Sequence, residues 1–201
     1  LVDVEKGQKT GFFLDQREMR SLVQNFAKGK NVLNCFSYTG GFSIAALAGG
    51  ATHAVSVDIS PEAINFAEKN AVKNGFVKKH EGISADVFLY LRALEKNTHD
   101  FIVLDPPAFT KRKTDVVAAC RGYKDINRLA IMNIASGGYV LTSSCSHFVD
   151  EKLFQTVVFQ AAREANRAVR IIGRHRLAPD HPVNIYHPEG EYLKSLFLQV
   201  V

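Results

Sequence analysis

The sequence predicts an α/β protein: a mostly parallel sheet with helices on both faces, finished by an antiparallel pair of strands. Three observations predict it. Short apolar runs alternate with helical segments from residue 31 to residue 145, the pattern of strands joined by crossover helices. A glycine pair and an acidic residue stand where the first two runs end. The last two runs, 168–177 and 192–201, have no helix between them; they are antiparallel neighbours or part of a mixed edge, because a parallel return needs a crossover.

Taken in order, residues 16–29 space Met19, Leu22, Val23 and Phe26 as one helical face and stop at Gly29. NVLNCF (31–36) is a buried-strand run, GFSIAALAGG (41–50) a helix closed by two glycines, and THAVSVD (52–58) the second strand. Pro61 opens the next helix behind the N-cap Ser60, with Ala63, Ile64, Ala67 and Ala71 on one face and Asn74-Gly75 as its end. Residues 77–83 form a weak third strand, 85–97 a helix, and DFIVLD (100–105) a fourth strand. A partly helical segment covers 114–135, GGYVLTSSC (137–145) is the fifth strand, and 150–166 is a helix. The opening residues 1–15 alternate like a strand that began earlier. With Leu1 in place of Met, they read as the remnant of an upstream hairpin domain, leaving 16–201 as one domain.

A chain of 201 residues, 46% hydrophobic and 22% charged, supports one compact domain. It carries no apolar stretch near the roughly 20 residues that cross a bilayer and no signal-peptide pattern, so no membrane partner and a cytoplasmic location are expected. The three cysteines, Cys35, Cys120 and Cys145, are far apart and fit neither a disulfide framework nor a zinc site. His175, His181 and His187 recur evenly but match no standard zinc spacing, so no metal is expected. The net charge of +5 suits an anionic partner such as RNA.

In a doubly wound sheet, ligands bind beyond the carboxyl ends of the strands. The first strand runs into FSYTGGFS, where Gly40 and Gly41 let backbone approach a ligand and a helix N-terminus supplies unpaired N–H groups. Asp58 ends the second strand, placed to accept from both ribose hydroxyls of a nucleoside, and Asp86 follows the third, placed for an adenine amino group. Singly, each also fits an ordinary turn or cap; together they point to a nucleoside cofactor. NAD is the rival, but YTGGFS lacks the GxGxxG spacing that cradles a pyrophosphate. The fourth strand ends in LDPPAF, where prolines stiffen the chain and Asp105 projects from a strand end, an element a dehydrogenase does not need.

NVLNCFSYTGGFSIAA, VSVDIS, FIVLDPPAF and TSSCSHF, in that order, resemble the Rossmann-like class I S-adenosylmethionine-dependent methyltransferases. More narrowly, they resemble the large-subunit ribosomal RNA cytosine-5 methyltransferase family, as does the opening GQKTGFFLDQREMR. The resemblance implies a seven-stranded sheet ending in an antiparallel hairpin, and an N-terminal RNA-binding domain of the PUA type that this sequence lacks. It implies S-adenosylmethionine held by Phe36, Ser37, Tyr38, Thr39 and Gly40, by Asp58 with Ile59 and Ser60, by Asp86, and by Asp105 with Pro106. It implies ribosomal RNA as partner.

It also gives Cys145, set between two serines, a function. Carbon 5 of cytosine is a poor nucleophile, and attack of a thiolate on carbon 6 makes it an enamine; cysteine suits that step because its thiolate is strongly nucleophilic. Asp105 is then expected beside the ring nitrogen 3 of the base. Two departures stand out. RNA cytosine-5 enzymes with a second cysteine after the fourth-strand proline have Pro107 and Ala108 matched here, and in the (D/N)PP(Y/F) motif of base-amine methyltransferases the aromatic stands one position earlier than Phe109. RNA contacts are expected from Pro107, Phe109, Lys111, Arg112, Tyr123, Lys124 and His147, in a basic flap and beside the cysteine. Methylation of a purine ring or amino nitrogen without a covalent adduct, and a non-catalytic RNA-binding assembly factor, are the alternatives; a homodimer is a further partner the sequence allows.

Overall fold

The structure is a computed structural model describing residues 1–5, 7 and 11–201. The chain divides into two compact units, Leu1–Val87 and Phe88–Val201.

The first unit contains α1 (Arg17–Phe26), β1 (Asn31–Cys35), α2 (Gly41–Ala48), β2 (His53–Asp58), α3 (Pro61–Lys73) and β3 (His80–Ser84). Its strands are parallel, with Asn31 to Cys35 beside His53 to Val57 and Ala54 to Asp58 beside His80 to Ser84. Val32, Leu33, Ala54, Val55 and Val57 are all buried, as in strands covered on both faces, and the polar Asn34 and Ser56 are buried among them. α3 starts where the sequence places it: Ser60 Oγ accepts from the Ala63 N–H at 3.2 Å with Pro61 at the first position, and Ala63, Ile64, Ala67 and Ala71 form its buried stripe.

The second unit is entered through α4 (Val87–Ala93) and contains β4 (Phe101–Leu104), α5 (Val116–Asn133), β5 (Tyr139–Ser144), α6 (Glu151–Glu164), β6 (Val169–His175) and β7 (Lys194–Val200). β4 and β5 are parallel, from Phe101 beside Tyr139 to Leu104 beside Thr142. β7 runs antiparallel to both β5 and β6. Phe101, Tyr139 and Phe197, one from each of β4, β5 and β7, pack ring against ring at 5.3 to 5.9 Å. α5 packs on α6, burying Tyr123, Ile126, Leu129 and Ala130 from one and Phe154, Val157 and Val158 from the other.

The seven strands follow the order β3-β2-β1-β4-β5-β7-β6, with helices on both sides of the sheet. The sequence-based expectation of a mostly parallel seven-stranded sheet with a final antiparallel pair is met. The pair is not joined by a tight turn; residues 176–193 connect it.

The strand expected in residues 1–15 lies partly outside the described residues. In the described part there is no strand; a turn at residues 4–5 and a 3-10 turn at Leu14–Gln16 stand there instead. Phe12 and Phe13 are tied to α1 through Arg20, which donates to the Phe13 carbonyl at 2.7 Å and lays its guanidinium over the Phe12 ring at 4.2 Å, while the Phe13 ring meets Tyr38 at 5.5 Å. The third strand also starts later than expected, because residues 77–79 form a turn.

Candidate active site

In the first unit, the loop between β1 and α2 is braced from three sides. Ser37 N donates to Val57 O at 3.0 Å, Gly40 N to Ser37 O at 2.9 Å, and Asn70 Nδ2 of α3 to Thr39 O at 3.0 Å. The bracing holds two non-glycine residues, Phe36 (φ 57°) and Tyr38 (φ 46°), in the left-handed region, a conformation that costs free energy and concentrates at ligand-binding sites. Gly40 is there too, at φ +80°; a Cβ on it would lie 2.9 Å from the Cβ of Ala67. The loop therefore passes close to α3 only because residue 40 has no side chain.

Asp58, at the carboxyl end of β2, organises the opening of this loop. Its Oδ2 accepts from Tyr38 N at 2.9 Å and its Oδ1 from Ser60 N at 3.0 Å. A carboxylate offers about four acceptor positions, so one on each oxygen is left for a pair of vicinal hydroxyls. Ile59 beside it is 72% exposed, an apolar side chain available to a flat ring, and Asp86 is exposed beyond β3. Ser37 Oγ is buried without a hydrogen-bond partner, the kind of orphaned group that a ligand can satisfy. Carboxylate, apolar side chain, unpartnered hydroxyl and strained loop fit the ribose, adenine and amino-acid parts of S-adenosylmethionine. Behind the loop runs a buried polar chain: Asn34 Nδ2 donates to Ser43 Oγ at 3.0 Å, Ser43 Oγ meets Ser56 Oγ at 2.6 Å, and Ser56 Oγ meets His80 Nε2 at 2.8 Å. Burial, helped by the neighbouring charge of His53, pushes the His80 imidazole down to about 4.

In the second unit, Asp105 and Cys145 follow the neighbouring parallel strands β4 and β5 at their carboxyl ends. The Cys145 thiol donates to the Pro106 carbonyl at 3.9 Å. Cys145 is partly exposed, while Ser144 and Ser146 on either side are fully buried. The two serines explain the odd composition of this strand end. Ser144 Oγ accepts from Ser146 N at 3.3 Å, and Ser146 Oγ meets the Tyr123 hydroxyl at 2.8 Å, so they fix the backbone on both sides and leave the thiol outward. Ser143 Oγ meets Ser195 Oγ of β7 at 2.8 Å. Cys35, by contrast, lies wholly inside β1, and burial drives its thiol far up, which makes it inert. Cys120 is also raised by burial.

The residues expected at an RNA surface separate into two groups. Pro107, Lys111, Arg112 and His147 are exposed. Tyr123 is not: it is fully buried, burial pushes its phenol up, and its hydroxyl serves Ser146. The expectation of an exposed stacking tyrosine is corrected, because position 123 falls on the α6-facing stripe of α5, where its ring meets Phe154 at 5.5 Å. Phe109 packs inward on Tyr123 at 4.6 Å and on Phe88 at 5.9 Å, and Lys124 is paired with Glu164 at 2.7 Å. Sequence reasoning missed Lys194, a buried ammonium on β7 whose Nζ donates to Ser146 O at 2.6 Å. A lysine opening an apolar run was the only signal. Among the described residues no cluster of histidine, cysteine and carboxylate is arranged to hold a metal, and no helix is long and apolar enough to cross a membrane.

Known proteins resemble this chain in sequence and in fold. A protein named ribosomal RNA large subunit methyltransferase I, from Aliivibrio fischeri, is 47% identical over 203 residues, covering 100% of this chain and 51% of its own length. The chain thus spans about half the length of the curated relatives it matches. Among solved structures, one from Streptococcus mutans described as a SAM-dependent methyltransferase is 28% identical with a TM-score of 0.85, covering 99% of this chain and 52% of its own. Another, described as a methyltransferase complexed with SAH, is 27% identical with a TM-score of 0.84 and covers 99% and 53%. A family model described as S-adenosylmethionine-dependent methyltransferase matches residues 1–196. The chain belongs to the S-adenosylmethionine-dependent methyltransferase family, and S-adenosylmethionine is the cofactor that goes with it.

Proposed function

We propose that this chain is the methyl-transfer part of an enzyme that methylates carbon 5 of a cytosine in large-subunit ribosomal RNA, with Cys145 as the nucleophile. The observation that carries the reading is the partly exposed thiol at the end of β5, held outward between two buried serines beside the carbonyl of Pro106. A cysteine chosen for packing has no need of such a mount. The name of the Aliivibrio fischeri relative, a ribosomal RNA large subunit methyltransferase, supports the substrate class, and the net charge of +5 suits it.

S-adenosylmethionine, when bound, supplies a methyl group on a sulfonium sulfur. In the proposal Phe36, Ser37, Tyr38, Thr39 and Gly40 take its amino-acid part, Asp58 and Ser60 its ribose hydroxyls, and Ile59 and Asp86 its adenine. The chain's own chemistry lies at Cys145 and Asp105. The Cys145 thiolate adds to carbon 6, the 5,6 double bond gives up its electron pair, and carbon 5 becomes nucleophilic. Asp105 takes the hydrogen-bonding position at the nitrogen-3 side of the ring, where charge develops. Once carbon 5 carries the methyl group, it loses its proton to a base; the electron pair of that C–H bond re-forms the 5,6 double bond and the sulfur leaves carbon 6 as the thiolate. Pro107, Lys111, Arg112 and His147 offer exposed contacts to the RNA strand.

The test is nucleoside mass spectrometry of ribosomal RNA treated with the full-length protein and isotopically labelled S-adenosylmethionine. Wild type is expected to place label in 5-methylcytosine, and Cys145→Ala is expected to lower that incorporation at least 1,000-fold, on the order of losses seen when a nucleophile is removed. Label on a purine nitrogen, or a Cys145→Ala protein that keeps its activity, would overturn the reading.

A further inference from the structure

We propose that Lys194 is the positioning cation of the nucleophile loop: it fixes the backbone beside Cys145 and holds a positive charge where the thiol ionises. The inference rests on the reading of Cys145 as nucleophile and extends it to the opposite strand.

Lys194 opens β7 and stands across from Ser144 in the antiparallel register. Its residue is only 7% exposed. Its ammonium donates to Ser146 O at 2.6 Å and to Tyr192 O at 2.9 Å, and it forms no ion pair with a carboxylate among the described residues. Burying an ammonium against two neutral carbonyls is unfavourable unless something nearby recovers the cost. An apolar residue opposite Ser144 would serve the sheet equally well.

The group that gains from the charge is the thiol. The Lys194 ammonium is pushed down by burial, and the charge of Cys145 acts in the opposite sense, ahead of Asp150 and Glu191. The same field, read from the sulfur, favours thiolate over thiol. Tyr123 of α5, whose hydroxyl meets Ser146 Oγ at 2.8 Å, is a neutral phenol with its acidity lowered by burial, the charges of Asp150 at the α6 cap and Glu191 in the connection before β7 act on the ammonium, and Asp105 stands at the end of β4. Of these groups Lys194 alone is a cation, and its bond to the carbonyl next to Cys145 ties the charge to the loop that carries the sulfur.

The test measures the alkylation rate of Cys145 by iodoacetamide from pH 5 to 10. Peptide mass spectrometry separates Cys145 from Cys35 and Cys120. In the wild-type protein the midpoint is expected below about 8.5, the value of an unperturbed thiol. Lys194→Met, which keeps the chain length and removes the charge, is expected to raise the midpoint by a pH unit or more and to slow alkylation at pH 7 about tenfold. Lys194→Arg is expected to restore most of the shift, which a purely structural lysine would not require. A wild-type midpoint above 8.5 overturns the inference without any variant, and so does a folded Lys194→Met protein with an unchanged profile. Neither readout depends on methyl transfer: if Cys145→Ala kept its activity, the nucleophile reading would fail while the alkylation profile still decided the role of Lys194.

Discussion

Asp58 has two tasks, and a conservative change can separate them. Its carboxylate accepts from Tyr38 N and Ser60 N and, in the proposed function, from the ribose of the cofactor. Asp58→Asn keeps the shape and one acceptor but replaces the other with a donor that opposes an N–H. Hydrogen bonds to a charged group contribute about 1.5–3 kcal/mol each, so affinity for S-adenosylhomocysteine is expected to fall tenfold or more by isothermal titration calorimetry. An unchanged affinity would remove Asp58 from the site. At this scale the sequence was informative where a role depends on position along one strand: Asp58, Asp105 and Cys145 all stand at strand ends, as read. It was uninformative where a role depends on another strand or helix. Tyr123 read as a surface aromatic in a basic segment, and only the docking of α6 buries it. Lys194 read as nothing, since the antiparallel register that places it by Ser144 is set by β7 as a whole.

Among the elements, the turn from β1 into α2 carries the sharpest expectation. Gly40 lies at φ +80° with Ala67 of α3 where a Cβ would go. Gly40→Ala therefore combines a left-handed alanine, costing roughly 1–2 kcal/mol, with a displacement of α3. Urea unfolding is expected to show a loss of about 2–3 kcal/mol, the upper part of the usual range for single substitutions, together with weaker cofactor binding. A variant as stable as wild type would mean that the turn relaxes freely. Element type was legible almost throughout, because the apolar runs and the cap at Ser60 are local signals. The opening segment was misread because alternation marks apolar residues without saying what they cover. Phe12 meets Arg20 of α1 and Phe13 meets Tyr38, and no strand partner exists for them in the described residues.

For the molecule as a whole, acid sensitivity has an identifiable source. His80 is held neutral in the folded state, pushed down to about 4 by burial and by His53, against about 6.5 when unfolded. As pH falls below 6.5 the unfolded chain takes up the proton and the folded chain does not, so stability present above pH 6.5 is lost progressively until about pH 4. Urea midpoints at pH 7 and pH 5 are expected to differ for the wild type, and His80→Gln is expected to reduce that difference. If the variant changed nothing, the buried chain from Asn34 to His80 would not be the titrating element. The strand order adds a consequence for biosynthesis. β7 is translated after β5 and β6, yet it lies between them. While the ribosome is still reading residues 176–193, β5 has an open edge and Ser146 has no ammonium to meet. The nascent chain thus exposes an apolar sheet border of the kind that chaperones hold, and the loop that carries Cys145 gains its bond to Lys194 only when β7 inserts.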